Sequence, residues 1–71
     1  MDPHMEVVLN GLMERVRNAW NAFSAALLDL VHYYRRASPV LRQRLQRRVV
    51  GLVMRINVGL GYLGALLNEL W

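Results

Sequence analysis

Cysteine and lysine are both absent from this chain of 71 residues. Without cysteine, the chain can form no disulfide and no thiolate metal site. Its two histidines, His4 and His32, lie far apart in sequence and suggest no shared metal ion. A domain this small buries a limited part of its surface and is marginally stable alone, so oligomerisation remains as its route to stability.

The sequence also lacks the motifs that usually carry catalysis. It has no glycine-rich phosphate loop after a strand, no HExxH, no CxxC and no serine elbow. Glu14 and Asp29 are fifteen residues apart and give no support for a carboxylate pair. His32 is expected to be a satisfied or exposed side chain rather than a general base. These absences predict a protein that is not an enzyme and has no cofactor and no metal site.

Long hydrophobic runs are scarce as well. No uninterrupted run of 18 apolar residues occurs, so a membrane-spanning helix is not indicated. The nearest candidate is the uncharged stretch Ile56–Leu67, whose twelve residues favour a buried helix. The first six residues are acidic and lack the basic region of a signal peptide, which predicts an intracellular, non-secreted protein.

Proline occurs only twice, and each time it follows a good helix-capping residue. Asp2-Pro3 and Ser38-Pro39 both match an N-cap followed by the first helical position, where proline loses no hydrogen bond. Proline also disfavours helical geometry at the residue before it. The pattern therefore predicts one domain over 1–71, with a helix over about 3–36, a turn at about 37–38 and a helix over about 39–70.

Apolar residues are abundant and recur with helical spacing. They make up 55% of the chain, which is high for a small domain whose residues are mostly at the surface. The rows that recur every seven residues are Leu9, Val16, Phe23 and Leu30 in the first segment and Val49, Ile56, Leu63 and Leu70 in the second. This spacing and the short connection predict an all-α fold, a two-helix antiparallel hairpin stabilised by oligomeric packing.

Copies of such a hairpin would have to cover the apolar residues that a single copy leaves exposed. The candidate packing residues are Trp20, Ala22, Phe23, Ala26, Leu52, Ile56, Gly61, Leu63 and Ala65. Gly61 with Ala65, and Ala22 with Ala26, are pairs of small residues that allow close helix packing. The glycines near 59–61 are also open to a second interpretation, a kink or a frayed helix end, which is the less favoured one.

Positive charge is concentrated in the second half of the chain. Residues 1–29 hold four acids and two arginines, a net charge of −2, whereas residues 30–71 hold seven arginines and Glu69, a net charge of +6. No acid occurs between Leu30 and Asn68. The seven basic residues are Arg35, Arg36, Arg42, Arg44, Arg47, Arg48 and Arg55. In a hairpin the first six would gather near the turn.

These arginines are the candidate nucleic-acid-binding residues. Arginine suits bidentate phosphate contacts, and each contact adds affinity through counterion release. Tyr33 and Tyr34 could stack on bases or pack inside the hairpin. Alternatives for the cluster are a solvated face, a protein partner or an anionic membrane, the last being the weaker candidate. The lack of lysine fits either selection for phosphate binding or coding bias.

The whole plan resembles that of the small helical-hairpin coat proteins of rod-shaped and filamentous viruses, including archaeal ones. The resemblance lies in Asp2-Pro3, a long apolar helix, the turn Arg35-Arg36-Ala37-Ser38-Pro39, the arginines 42–48 and a second apolar helix. It implies a self-assembling capsid protein that coats nucleic acid without sequence preference, binds copies of itself and resides in the virion.

Two other functions remain open. The first is a small dimeric regulator that binds double-stranded RNA, similar to the helical silencing suppressors of some RNA viruses. The second is a membrane-active helical protein, in which residues 58–71 would dip into the lipid interface and Trp71 would act as an anchor. The size of the assembly distinguishes the first alternative, and lipid binding without nucleic acid distinguishes the second.

Overall fold

The protein is all-α, as predicted, and its two long helices are separated by a break at the Ser-Pro dipeptide. A computed structural model describes residues 2–71, so that Met1, the first residue of the predicted domain, lies outside the described residues. Helix α1 spans Pro3–Arg36 and helix α2 spans Pro39–Leu67, followed by a 3-10 turn at Asn68–Leu70. The chain divides into two units, one ending at Arg36 and one spanning Ala37–Trp71. Antiparallel packing of the helices stays a prediction.

Helix α1 begins with the predicted aspartate cap. The Asp2 Oδ1 atom accepts a hydrogen bond from the backbone N–H of His4 at 3.0 Å, and the Asp2 carbonyl accepts one from Glu6 N–H at 3.2 Å. Glu6 lies in the first turn, and Arg35 and Arg36 lie in the last. This placement of charge complements the helix dipole at both ends and favours a long, uninterrupted helix.

Helix α2 begins with the predicted serine cap. Ser38 has extended backbone geometry (φ −60°, ψ 153°), and its Oγ atom accepts a hydrogen bond from Leu41 N–H at 3.2 Å. The Ser38 carbonyl accepts from Arg42 N–H at 2.9 Å, which closes the first helical turn. Pro39 follows at the position where its missing N–H has no consequence.

The glycines of α2 do not interrupt the helix. The α-helix continues through Gly59 and Gly61 to Leu67, so the helix does not end or fray at 59–61. The last turn then tightens, so the α-helix ends three residues before the predicted end at about 70. There the Asn68 N–H donates to the carbonyls of Gly64 and Leu66.

Neither helix contributes a buried residue in the part of the chain that the structure describes. The residues with intermediate exposure are Phe23, Ser24, Leu27, Leu30, Tyr34, Ala37, Arg42, Leu45, Val49, Ile56 and Gly59. Within the single chain, the stretch 56–67 is exposed apart from Ile56 and Gly59. Burial of this helix against other copies stays a prediction.

Helix α2 contains a long segment of high average hydropathy, although no uninterrupted run of 18 apolar residues occurs. The helical segment Pro39–Leu70 contains a window of 18 residues with a mean hydropathy of 1.6, none of which is buried, so it is long and apolar enough to cross a membrane by length and composition. Arg55 and Asn57 interrupt the apolar residues, so no long uninterrupted run exists. The mean hydropathy of the window stays high because most of its other residues are apolar.

A candidate anion-binding segment

The arginines at the break between the helices form the candidate site, which we call the arginine segment (residues 35–48). Its six members are Arg35, Arg36, Arg42, Arg44, Arg47 and Arg48. Two of them lie in the last turn of α1, and four lie in the first three turns of α2. All are exposed except Arg42, which has intermediate exposure. The seventh candidate, Arg55, lies two turns further along α2 and is exposed as well.

On α2 the arginines divide between two sides of the helix. At about 100° per residue, Arg44, Arg48 and Arg55 lie within an arc of roughly 40°, and Arg47 lies about 60° to one side of Arg44. Arg42 lies about 160° from Arg44, on the opposite side. The spacing in the sequence already aligns Arg44, Arg48 and Arg55, with Arg47 beside them, and α2 is a continuous helix over these positions. The exposed basic face of α2 therefore consists of Arg44, Arg47, Arg48 and Arg55.

The start of α2 concentrates positive potential. A helix N-terminus carries a partial positive charge of about half a unit, which acidic residues in the first turn usually offset. The first turn of α2 contains no acid, and Arg42 and Arg44 follow directly. Their charges oppose the helix dipole, whereas Arg35 and Arg36 at the end of α1 favour it. An anion bound near the start of α2 would relieve this unfavourable arrangement.

Within residues 2–71, no acid forms an ion pair with Arg35, Arg36 or the basic face of α2. The ion pair of the described residues joins Arg17 to Glu14, which lie one turn apart on α1 at 3.7 Å and are both well exposed. Arg35, Arg36 and the basic face of α2 make no such pair within residues 2–71. Their guanidinium groups remain available to a partner that brings its own negative charge.

The aromatic residues beside the arginine segment differ in exposure. Tyr33 is 69% exposed, and its ring contacts the ring of His32 edge to face, with 5.2 Å between centroids. Tyr34 has intermediate exposure. The exposed face of Tyr33 is accessible to a base, whereas Tyr34 is less so. His32 is exposed, in agreement with one of the two expectations for it.

The candidate packing residues lie on both helices. On α1, the rings of Trp20 and Phe23 pack against each other with centroids 6.2 Å apart, and Trp20 is still 57% exposed. On α2, a Cβ atom built at Gly61 would meet no atom within 4 Å. The exposed members of the set are Trp20, Ala22, Ala26, Leu52, Gly61, Leu63 and Ala65, while Phe23 and Ile56 have intermediate exposure. These surfaces are therefore open to another copy or to another apolar partner.

The described residues offer little that could hold a small ligand. No group of three or more His, Cys, Asp or Glu side chains within residues 2–71 could hold a metal ion. A shallow depression near the end of α1 is open to solvent. It is lined by Leu28, Asp29, Val31, His32, Arg35 and Arg36.

Comparisons with known proteins identify no relative. No family model matches the chain, and neither does any curated protein or solved structure. The resemblance to helical-hairpin coat proteins therefore stays a prediction that depends on the arrangement of residues in this chain.

Proposed function

We propose that this protein is a non-enzymatic structural protein that assembles with copies of itself and binds nucleic acid through the arginine segment. The carrying observation is a window of 39 residues, from Leu30 to Asn68, that contains seven arginines and no acid. Six of the seven arginines are exposed. The exposed arginines of α2, which are Arg44, Arg47, Arg48 and Arg55, form no ion pair within residues 2–71, so a polyanion is a suitable partner for them.

Phosphate suits the geometry of this surface. The guanidinium group donates two parallel hydrogen bonds to one phosphate, and each phosphate neutralised releases condensed counterions. On α2, the basic face formed by Arg44, Arg47, Arg48 and Arg55 extends over roughly 16 Å at 1.5 Å per residue, long enough to follow several phosphates. Phosphate contacts carry no sequence information, so binding would be non-specific.

Assembly follows from the exposed apolar residues. The α1 side chains Leu9, Leu12, Val16 and Trp20 are each between 45% and 69% exposed. A monomeric protein rarely leaves an apolar surface of this extent uncovered. Copies that pack through this side of α1 would cover it and would place many arginine segments along one nucleic acid. Such an assembly would be capsid-like, and the protein would then be found in the virion.

Removal of arginines from the basic face tests this proposal. The variant Arg44→Gln with Arg47→Gln should weaken nucleic-acid retention, and the further change Arg48→Gln should abolish it at moderate salt. Log K falls with log salt, and each lost phosphate contact should make this negative slope shallower by about 0.9 for a double-stranded nucleic acid. Helicity, measured by circular dichroism, should not fall.

The matched control is Arg15→Gln with Arg17→Gln, which removes the same charge from α1 outside the acid-free window. This control should retain nucleic acid as the unmodified protein does. If the two double variants lose nucleic acid to the same extent, binding depends on net charge and not on the arginine segment. Unchanged retention by the triple variant would overturn the proposal.

The size of the complex separates coating from the alternative of a dimeric regulator. Electron microscopy of the purified protein with nucleic acid, before and after nuclease treatment, should show extended assemblies whose length follows the nucleic acid. Discrete dimers on short double-stranded RNA would instead support the regulator.

A further inference from the structure

The last third of the chain has the length and composition of a membrane span. Residues 49–68 number twenty, and Arg55 is their one charged member. As a helix, twenty residues extend about 30 Å, which is the thickness of the hydrocarbon core of a bilayer. The segment is helical over this length except for its final residue, Asn68, which begins the 3-10 turn. None of the apolar window of this helix is buried.

This segment carries large apolar side chains on all sides of the helix instead of in one stripe. Met54 and Leu63 lie nine residues apart, which places them about 180° apart around the helix, and the same holds for Val58 and Leu67. All four are at least 50% exposed. A helix that packs against one neighbour needs a single apolar face, as α1 has, whereas a helix that is apolar on all sides needs an apolar environment on all sides.

The polar residues lie where a membrane span would have them. Arg47 and Arg48 precede the segment directly, and Glu69 and Trp71 follow it. Basic residues at one end and an aromatic residue at the opposite end are typical of spans, and Trp71 is 93% exposed. Arg55 lies about 10 Å along the helix from Arg48, so its long side chain can extend back toward the head groups.

We propose that residues 49–68 of α2 cross a phospholipid bilayer, with Arg47 and Arg48 at the surface from which the helix inserts and Trp71 at the opposite surface. Basic flanking residues remain on the side of insertion, which fixes the orientation. This proposal is independent of what the arginine segment binds. If both hold, the protein attaches nucleic acid to a membrane through the arginine segment, and Arg55 extends toward the lipid head groups instead of contacting the nucleic acid.

Limited proteolysis of the full-length chain, added to preformed vesicles of neutral phosphatidylcholine, tests the insertion directly. Trypsin cleaves after arginine, and the last two sites are Arg48 and Arg55. Insertion should expose Arg48 and protect Arg55, leaving a peptide of residues 49–71 that mass spectrometry can identify. Detergent should then allow cleavage at Arg55. Cleavage at Arg55 in intact vesicles, or no association with vesicles, would overturn the proposal.

A charge in the middle of the segment gives a second test. In vesicle flotation, Val58→Asp should lower the membrane-inserted fraction relative to the soluble one on the order of a hundredfold, because aspartate is very unfavourable at the centre of a bilayer. The matched control is Val7→Asp on α1, since Val7 and Val58 are 70% and 75% exposed. It should float like the unmodified protein.

Two other outcomes would contradict the proposal. If Val58→Asp floats as well as the unmodified protein, residues 49–68 do not cross the bilayer. If the unmodified protein does not float, and Val58→Asp instead disrupts a lipid-free oligomer, this segment contacts other copies. The variant with Arg44, Arg47 and Arg48 replaced by glutamine should still float on neutral lipid, so loss of nucleic-acid binding and loss of insertion can be told apart.

Discussion

At the scale of single residues, two side chains determine where the helices begin. Asp2 and Ser38 each accept a hydrogen bond from a backbone N–H of the first turn, at 3.0 Å and 3.2 Å. Each is followed by proline, which is already in helical geometry at the first helical position. Neither interaction depends on a distant part of the chain, so both could be predicted from the sequence. Helical spacing, which is also a local property, separates Arg42 from the other basic residues of α2.

Loss of the serine cap should weaken α2. Ser38→Ala removes the acceptor for Leu41 N–H and should destabilise the helix by about 1 kcal/mol. Thermal unfolding followed by circular dichroism at 222 nm would measure this as a lower midpoint. The control is Ser24→Ala in the interior of α1, where alanine has the higher helix propensity and no loss is expected. Equal behaviour of both variants would show that the Ser38 hydrogen bond contributes nothing.

At the scale of the elements, the two helices differ in how their apolar residues are distributed. Helix α1 has a polar side that includes Asn10, Glu14, Arg17 and Asn21, opposite its apolar stripe. In the second half of α2, large apolar residues occur on all sides. The first arrangement is typical of a helix that packs on one neighbour, and the second is typical of a helix inside an apolar medium. The elements therefore suit different partners although their lengths are similar.

Enlarging Gly61 should prevent close contact between copies of α2. In a single copy the change Gly61→Leu meets no atom within 4 Å of the Cβ position, and leucine has the higher helix propensity, so α2 should be at least as helical as before. Two helices that approach through Gly61 and Ala65 would clash. Cross-linking and electron microscopy should show smaller assemblies.

The control for this prediction is Gly11→Leu in α1, since Gly11 also faces open space. It should leave assembly on nucleic acid or in lipid unchanged. Assemblies of ordinary size from Gly61→Leu would show that this glycine does not lie at a contact between copies.

At the scale of the whole molecule, the described residues contain no hydrophobic core. Burial of apolar surface is the main favourable contribution to the stability of a globular protein, and the proposed assembly would supply it here. The helices are supported locally by their caps and by backbone hydrogen bonds, whereas most helical stability in proteins comes from packing of an apolar face. Stability should therefore depend on the surroundings of the protein.

Helix content should rise with protein concentration if copies supply the missing burial. Dilution on the order of a hundredfold in aqueous buffer should lower the ellipticity at 222 nm, because association stabilises the helical form by mass action. Analytical ultracentrifugation of the same samples should show oligomers that dissociate on dilution. A fixed helix content together with monomers at every concentration would contradict the proposed self-assembly.

The sequence by itself determined the helical class, the break at Ser38 and the uneven distribution of charge. Caps, prolines and charges act over a few residues, so their effects can be derived from the order of the amino acids. The seven arginines and the candidate packing residues were also identified from the sequence. The partners of both sets remain predictions.

Only the three-dimensional structure decided that Gly59 and Gly61 continue α2 as regular helix and that the 56–67 stretch is largely exposed. Glycine permits both a helix and a break, so its sequence position alone does not choose between them. Exposure depends on which elements cover a segment in space, and apolar composition cannot reveal whether such an element exists. For this reason the sequence predicts the helix at 56–67 but not its exposure in the single chain.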